Sequence, residues 1–432
     1  RRRSLEDLIE KTSADGMVTG VGIVNGDQFD EPHSSVAVIA YDYTVLAGTQ
    51  GSRNHRKTDR MLKVAKWGKM PLVFFAEGGG GRPGDTDEPS GGPHEQGTFS
   101  ALARLSGLVP LIGITSGRCF AGNTALLGIC DIIIATANST IGMGGPAMIE
   151  GGNLGIFTPE EVGPMSFQVP NGVVDIAVED EVEAVEVAKK YLSYFQGRTK
   201  TWESADQRIL RRLIPENRLR IYDIREVIKT MTDTDSVLEL RPKFGLAMVT
   251  AFARIEGRPI GIIANNPAHI GGAIDADAGD KAARFMQICD AFDIPILFLS
   301  DTPGIMVGPE AEKEALVRHA NRMLVTGANM TIPFFTIVLR KGYGIGAIAM
   351  GGGYYKEPLF MVSWPTGEFG GMGLEGQVKL GFRNELAAIE DPAERLAEYT
   401  RLVDEAYERG GALNVATTFG IDQVIDPAES RT

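Results

Sequence analysis

The 432-residue sequence predicts an α/β protein of two equivalent domains that arose by duplication. Three observations carry this. Strand-like and helix-like segments alternate along the chain. Five of them recur in the same order, offset by about 225–231 residues. Glycine, at 53 residues, falls in clusters at 78–84, 142–155, 342–353 and 367–376, where tight turns or close backbone approach are expected, and shows no collagen-like period.

Residues 18–26 echo 249–257, each an alternating strand closed by a turn dipeptide, Asn25-Gly26 or Glu256-Gly257. An apolar strand follows at 35–40 and 259–264. Helical stretches come next, 58–67 and 280–292. In the second, Ala282, Phe285, Met286 and Cys289 have the spacing of one helix face. Pro71 and Pro295 then open the buried strands Leu72-Val73-Phe74-Phe75 and Ile296-Leu297-Phe298-Leu299, and each runs into an acid and glycines, at 77–81 and 301–304. A further strand leads to Thr115-Ser116-Gly117-Arg118 in one half and Leu339-Arg340-Lys341-Gly342 in the other. The polar, proline-containing stretch 197–242 reads as a linker with short helices and not as core. The expected halves are 1–200 and 201–432.

Composition narrows the function. Apolar residues at 43% and charged residues at 23% fit a globular chain. A net charge of −13 argues against a nucleic-acid partner. No apolar run approaches the ~18 residues of a membrane span. Cys119, Cys130 and Cys289 cannot make a disulfide framework or a four-cysteine zinc ribbon, which points to a reducing, cytoplasmic setting. No signal peptide is visible. The chain begins at Arg1, so it reads as a mature product or a fragment.

Catalytic side chains are scarce. The five histidines, His33, His55, His94, His269 and His319, lack metal-ligand spacing, so no metal is expected. His319, on a predicted helix 312–323, reads as structural or as part of a solvated face, and Glu160-Glu161 and 179–186 read as helix starts or charged faces. Gly344-Ile345-Gly346-Ala347-Ile348-Ala349 fits Gly-x-Gly-x-x-Ala after a strand, but Trp364-Pro365 follows the next strand where a ribose-binding acid is needed. Nucleotide binding is therefore not expected. Two glycine-rich strand-to-helix turns remain, at 116–123 and 340–347. A helix start presents unpaired N–H groups and partial positive charge, and glycine admits a substrate oxygen. Such a turn is either a tight packing turn or a main-chain oxyanion hole. Its occurrence twice, at equivalent positions, favours the second.

The segments 258–267, Asp280-Lys281-Ala282-Ala283-Arg284-Phe285, 289–295, Asp301-Thr302-Pro303-Gly304, Arg340-Lys341-Gly342-Tyr343-Gly344 and Trp364-Pro365-Thr366-Gly367 resemble the C-terminal half of biotin-dependent carboxyltransferases, the β subunits of acyl-CoA carboxylases. Ser116-Gly117-Arg118-Cys119 with Ala121-Gly122 is similar to the family's Ser-Gly-Pro-Cys-Ala-Gly-Gly turn. The resemblance extends over about 16–424. It implies two crotonase-like domains of repeated β-β-α units, with acyl-CoA on the N-terminal half and carboxybiotin on the C-terminal half of a neighbouring subunit. It assigns the N–H groups of Ala121 and Gly122 to the thioester enolate, and those of Ile345 and Gly346 to the biotin ureido oxygen. Arg82, Gly117 and Ile348 fall at substrate-binding positions, and Gly342 and Gly344 at biotin-binding ones. The transfer passes through an oxyanion on each partner, so two such holes suffice without a side-chain base.

The sequence also departs from the family. Glu77-Gly78-Gly79-Gly80-Gly81-Arg82 replaces Asp-Ser-Gly-Gly-Ala-Arg, and only Arg82 carries over cleanly. The following loop, to about Gly97, reads either as a lid on the acyl pocket or as a mobile connection. Ile348 stands where propionyl-CoA-type enzymes carry an acid, which leaves acyl length open. No Met-Lys-Met biotinylation signal or ATP-grasp pattern is visible. Biotin is then expected on a carrier domain outside this chain, with a biotin carboxylase as partner, and the chain as a homo-oligomer built from dimers, a hexamer. The expected activity is carboxyl transfer to an acetyl- or propionyl-CoA-type acceptor. The alternatives are a biotin-dependent acyl-CoA decarboxylase subunit and a non-catalytic acyl-CoA-binding scaffold.

Overall fold

The computed structural model describes residues 4–31, 33–82 and 97–432, which form two units, Arg1–Arg198 and Thr199–Thr432. The loop residues 83–96 lie outside the described residues.

In the first unit, strands β1 (Met17–Ile23), β2 (Ser35–Tyr41), β3 (Leu72–Phe75), β4 (Leu111–Thr115), β6 (Ile132–Thr136) and β8 (Ile176–Val178) form one sheet in that order. β1 and β2 are antiparallel, and the pairs from β2 onward are parallel. A parallel sheet is covered on both faces, so its strands are apolar throughout rather than alternating. β4 and β6 are buried at every residue. Two short strands, β5 (Arg118–Phe120) and β7 (Thr140–Gly142), pair beside this sheet. The helix Ser52–Gly68 buries Leu62 and Ala65 in the core and stops where Lys69 turns left-handed, at φ 50°.

The second unit repeats the plan. β9 (Leu238–Leu240), β10 (Met248–Ile255), β11 (Arg258–Asn265), β12 (Ile296–Thr302), β13 (Phe334–Tyr343), β14 (Phe360–Ser363) and β16 (Gln423–Val424) lie side by side, with β15 (Glu368–Gly370) on β13. β10 to β13 pair as β1 to β4 do, one antiparallel pair followed by parallel ones. The helix Ala276–Ala291 is capped by Asp275, which accepts the N–H of Ala278 at 2.8 Å.

Three expectations change. Glu256 and Gly257, at φ 52° and 76°, make the two-residue hairpin turn, with Ile255 opposite Arg258. Asn25-Gly26 does not, because β1 and β2 end at Ile23 and Ser35. Asn25 instead spends its side-chain N–H groups on Lys189 O and Gln196 Oε1. The stretch 197–242 is not merely a linker. The helix Ile224–Met231 places Ile224, Val227, Ile228 and Met231 in the second core, and β9 joins the sheet. Polar composition hid an apolar face at 3.6-residue spacing. The helix expected at 312–323 is split into Pro309–Lys313 and Leu316–Gly327 by Ala315, at φ 56°.

Lys281 is buried on Ala276–Ala291 and donates to the carbonyls of Arg241, Phe244 and Met248 at 2.7–2.9 Å. Lys281→Met removes all three donors. Leaving even one buried acceptor unpaired costs about 1–3 kcal/mol, so denaturant unfolding of the variant should show at least that loss.

Candidate functional site

Each glycine-rich turn grows from the C-terminal end of a buried strand. In the first unit the chain leaves β4 at Thr115, forms β5, and enters the helix Gly122–Leu127 through Ala121, at φ 51° and ψ −122°. An L-residue pays for this conformation only where its surroundings hold it there. The Ala121 N–H donates to Gly142 O at 3.2 Å. That corrects the expectation for Ala121, whose donor is already used by β7. The Gly122 N–H has no acceptor among the described residues.

Gly80 backs this turn at φ 85°. A Cβ there would lie 2.5 Å from the Ala121 Cβ and 3.2 Å from the Gly122 nitrogen. The buried Asn123 side chain binds the segments together. Its Oδ1 accepts the Gly80 N–H at 2.9 Å, and its Nδ2 donates to Gly48 O and Glu77 O, each at 3.3 Å. Gly117, left-handed at φ 111°, donates to Ser139 Oγ at 3.2 Å and so shapes the approach to the turn.

In the second unit β13 ends at Tyr343 and the helix Gly344–Ala349 begins, with Gly344 at φ 57°. Both Ile345 and Gly346 keep an N–H without an acceptor among the described residues. The Ile345 side chain is 57% exposed. Gly346 is buried, and a Cβ there would lie 2.5 Å from the Gly304 carbonyl carbon. Gly304 is the counterpart of Gly80, also left-handed, at φ 127°. Ile348 is half-buried on the same helix. Gly342 has ordinary extended backbone and pairs with Phe369 of β15.

Arg82 is not presented to a ligand. Its side chain is 3% exposed, ion-paired to the buried Asp15 at 2.5 Å, and donates to Thr49 Oγ1 at 3.2 Å and Thr49 O at 2.8 Å. Its sequence position suggested binding, but a buried carboxylate claims the guanidinium. Arg82→Ala strands that carboxylate and should lower stability by about 3–5 kcal/mol in denaturant unfolding, with no selective rise in the KM for thioester.

Several residues around the turns were not singled out by sequence. Leu46, Ala47 and Gly48 form a left-handed run at φ 50°, 56° and 61°, and Ile270, Gly271 and Gly272 repeat it at 42°, 66° and 84°. Gly48 and Gly272 lie against the carbonyls of Glu77 and Asp301. Asp301 is fully buried, 3.0 Å from Arg340 Nη2, and accepts from Tyr222 Oη at 2.8 Å. Burial lifts the Glu77 carboxyl above the ordinary carboxylate range and lowers the Lys341 ammonium. The signal that could have found these residues is their equal spacing from the two turns. His319 Nδ1 lies 2.7 Å from Asp280 Oδ2. Among the described residues no group of His, Cys, Asp or Glu could hold a metal, and no helix is long and apolar enough to cross a membrane.

Two duplicated helix starts thus carry N–H groups unpaired among the described residues, and comparison with known proteins gives the family. Residues 2–432 match the family described as Carboxyl transferase domain. The chain belongs to this carboxyltransferase family. It is 33% identical to the methylmalonyl-CoA carboxyltransferase 12S subunit of Propionibacterium freudenreichii subsp. shermanii, over 97% of this chain and 79% of that protein. It is 32% identical to a putative propionyl-CoA carboxylase beta chain of Bacillus subtilis, over 98% and 82%. Among solved structures, a single-chain, multi-domain long-chain acyl-CoA carboxylase matches with a TM-score of 0.93 and 55% identity. That match covers 99% of this carboxyltransferase but only 42% of the other chain. The transcarboxylase 12S hexamer matches at TM-score 0.83 and 31% identity, over 96% and 80%. Both units thus carry the crotonase-like fold of an enzyme family that depends on biotin.

Proposed function

We propose that this carboxyltransferase moves a carboxyl group from carboxybiotin, delivered on a carrier domain, to the α-carbon of an acyl-CoA, giving a malonyl-CoA-type product. The observation that carries the reading is the pair of helix starts, one with the free N–H of Gly122 and the other with those of Ile345 and Gly346. In the first unit the Gly122 N–H would stabilise the thioester oxygen as the α-proton passes to the biotin nitrogen that gives up the carboxyl group and the enolate forms. In the second, the Ile345 and Gly346 N–H groups fit a ureido oxygen, and the missing Cβ of Gly346 lets this helix start pack against the main chain of Gly304 and Ile305. Carboxybiotin supplies the activated carboxyl group. The hexamer named for the 12S neighbour supports a homo-oligomer here as well.

The acyl acceptor is proposed to be long-chained. The 55% identity to a long-chain acyl-CoA carboxylase supports this, as does a run of exposed apolar residues, Met143, Met148, Leu154 and Ile156, that follows β7. The run is joined to the turn, since Gly142 holds the Ala121 N–H and Gly145 packs on Phe120. Burial is worth about 0.8 kcal/mol per methylene, so kcat/KM should climb with chain length from acetyl- to palmitoyl-CoA until the surface is filled. A maximum at acetyl- or propionyl-CoA would return the reading to short chains. The activity itself is tested by biotin-dependent decarboxylation of malonyl-type thioesters with free biotin. No thioester loss above a biotin-free control would refute it.

A further inference from the structure

We propose that Glu77 and Asp301 are equivalent positioning residues, each pinning with its side-chain carboxyl the strand bulge that launches one of the two oxyanion turns. The proposal rests on the oxyanion reading above and adds the part of the chain that sets where each turn lies.

The ladder between neighbouring strands breaks at the same place in both units. In the first, the Ala76 N–H bonds Ile114 O at 2.9 Å, and the next bond runs from the Gly78 N–H to Arg118 O, also at 2.9 Å. Pairing runs to Phe75 opposite Ile114 and resumes at Gly78 opposite Cys119, so Ala76 and Glu77 together face residues 115–118. In the second, Ser300 stands opposite Val338 and Thr302 opposite Gly342, so Asp301 alone faces Leu339, Arg340 and Lys341. Bulged residues lose their ladder partners. The carboxyls replace them: Glu77 Oε1 accepts the Ser116 N–H at 2.5 Å, and Asp301 Oδ1 accepts the Lys341 N–H at 3.1 Å. The main chain at each acid is held in turn, Glu77 O by Asn123 Nδ2 at 3.3 Å and the Asp301 N–H by Asn265 Oδ1 at 3.1 Å. From either bulge the chain runs within a few residues into the unpaired N–H groups. A shift of the bulge is passed directly to the donors.

The two clamps differ in charge. Asp301 has Arg340 at 3.0 Å, Lys341 Nζ at 3.7 Å and the Tyr222 hydroxyl at 2.8 Å. Glu77 has no ion-pair partner among the described residues, and Ser116 Oγ donates to Glu181 instead, at 2.6 Å. Glu77 therefore needs only an acceptor atom, whereas Asp301 must also balance a buried guanidinium. Glu77→Gln keeps an acceptor and should work. Asp301→Asn leaves Arg340 without its counter-charge and should not.

The test compares Glu77→Met, which keeps the length and removes the acceptor, with Glu77→Gln, using full-length protein and following biotin-dependent decarboxylation of a malonyl-type thioester. Misplacing a donor by about 1 Å can cost on the order of 10²-fold, so Glu77→Met should lose about that much in kcat/KM for thioester, while its KM for free biotin stays unchanged and Glu77→Gln restores the rate. Tyr222→Phe removes one hydroxyl from Asp301 with little risk to folding. It should raise the KM for free biotin several-fold and leave the thioester KM alone. This crossed pattern is what a general loss of stability would not produce. Equal losses for both substrates in parallel with a lowered Tm, or a folded Glu77→Met with normal thioester kinetics, would overturn the proposal. Gly122→Pro serves as reference. If it is inactive while Glu77→Met is normal, the clamp has failed and the hole stands; if it is fully active, the oxyanion reading has failed first. Should Glu77→Met not fold, Tyr222→Phe decides alone, an unchanged KM for biotin counting against the clamp.

Discussion

Gly122→Pro is expected to lower turnover of a malonyl-type thioester by about 10²–10³-fold, the effect of removing one oxyanion donor worth about 2.7–4 kcal/mol. Proline has no N–H, and position 122 is the first residue of its helix, where proline is well tolerated. Gly122 is also not left-handed, so glycine is not required there for its backbone angles. A side chain at 122 meets the amide end of Gln50, which can swing away, although Gln50 would then give up its 3.0 Å bond to Tyr41 Oη. Gly122→Ala is the control, because it adds the same Cβ and keeps the N–H. Alanine should retain most of the activity, and proline should not, with both variants unfolding at similar temperatures. Comparable rates for the two would mean that Gly122 is only a packing residue. The Ala121 N–H is already bonded to Gly142 O and so cannot take over the role.

The second large effect is expected at Ile345 and not at Gly346. Any side chain at 346 runs into the main chain of Gly304 and Ile305, so even Gly346→Ala mixes distortion with whatever else it does. Ile345 already has a side chain, which points largely into solvent, and it lies in the first helical turn, where proline is accepted. Ile345→Pro should therefore delete one donor cleanly and cost about 10²–10³-fold in turnover with free biotin. Binding of an unreactive acyl-CoA analogue, measured by calorimetry, should be unchanged, and Ile345→Ala should behave as the parent. A matching loss of acyl-CoA affinity would show that the two turns do not divide the work as proposed.

Much of this was legible in the sequence because it depends on local chemistry. The duplication shows in the order of segments, and the parallel strands show as unbroken apolar runs such as Ile132-Ile133-Ile134-Ala135. The turns show as glycines at strand ends. The helix starts at Glu160-Glu161 and at 179–186 are real, capped by Thr158 and Asp180. These features follow from residue type and spacing within a few positions.

What the tertiary structure decided are matters of partnership between distant segments. Ala121 and Gly122 are neighbours in a motif, yet only the arrival of β7 shows that one N–H is taken and the other free. Arg82 is a cation in a glycine-rich loop until Asp15, far away in the sequence, buries it. The stretch 197–242 looked polar, and it became core only because the apolar face of Ile224–Met231 found the second sheet. Glu77 and Asp301 were merely acids at strand ends until the broken ladder gave their carboxyls a role. Sequence determined which groups this carboxyltransferase carries and where its backbone turns. Which donors and charges remain unspent was decided by folding, because a hydrogen bond or an ion pair is settled by the nearest partner in space.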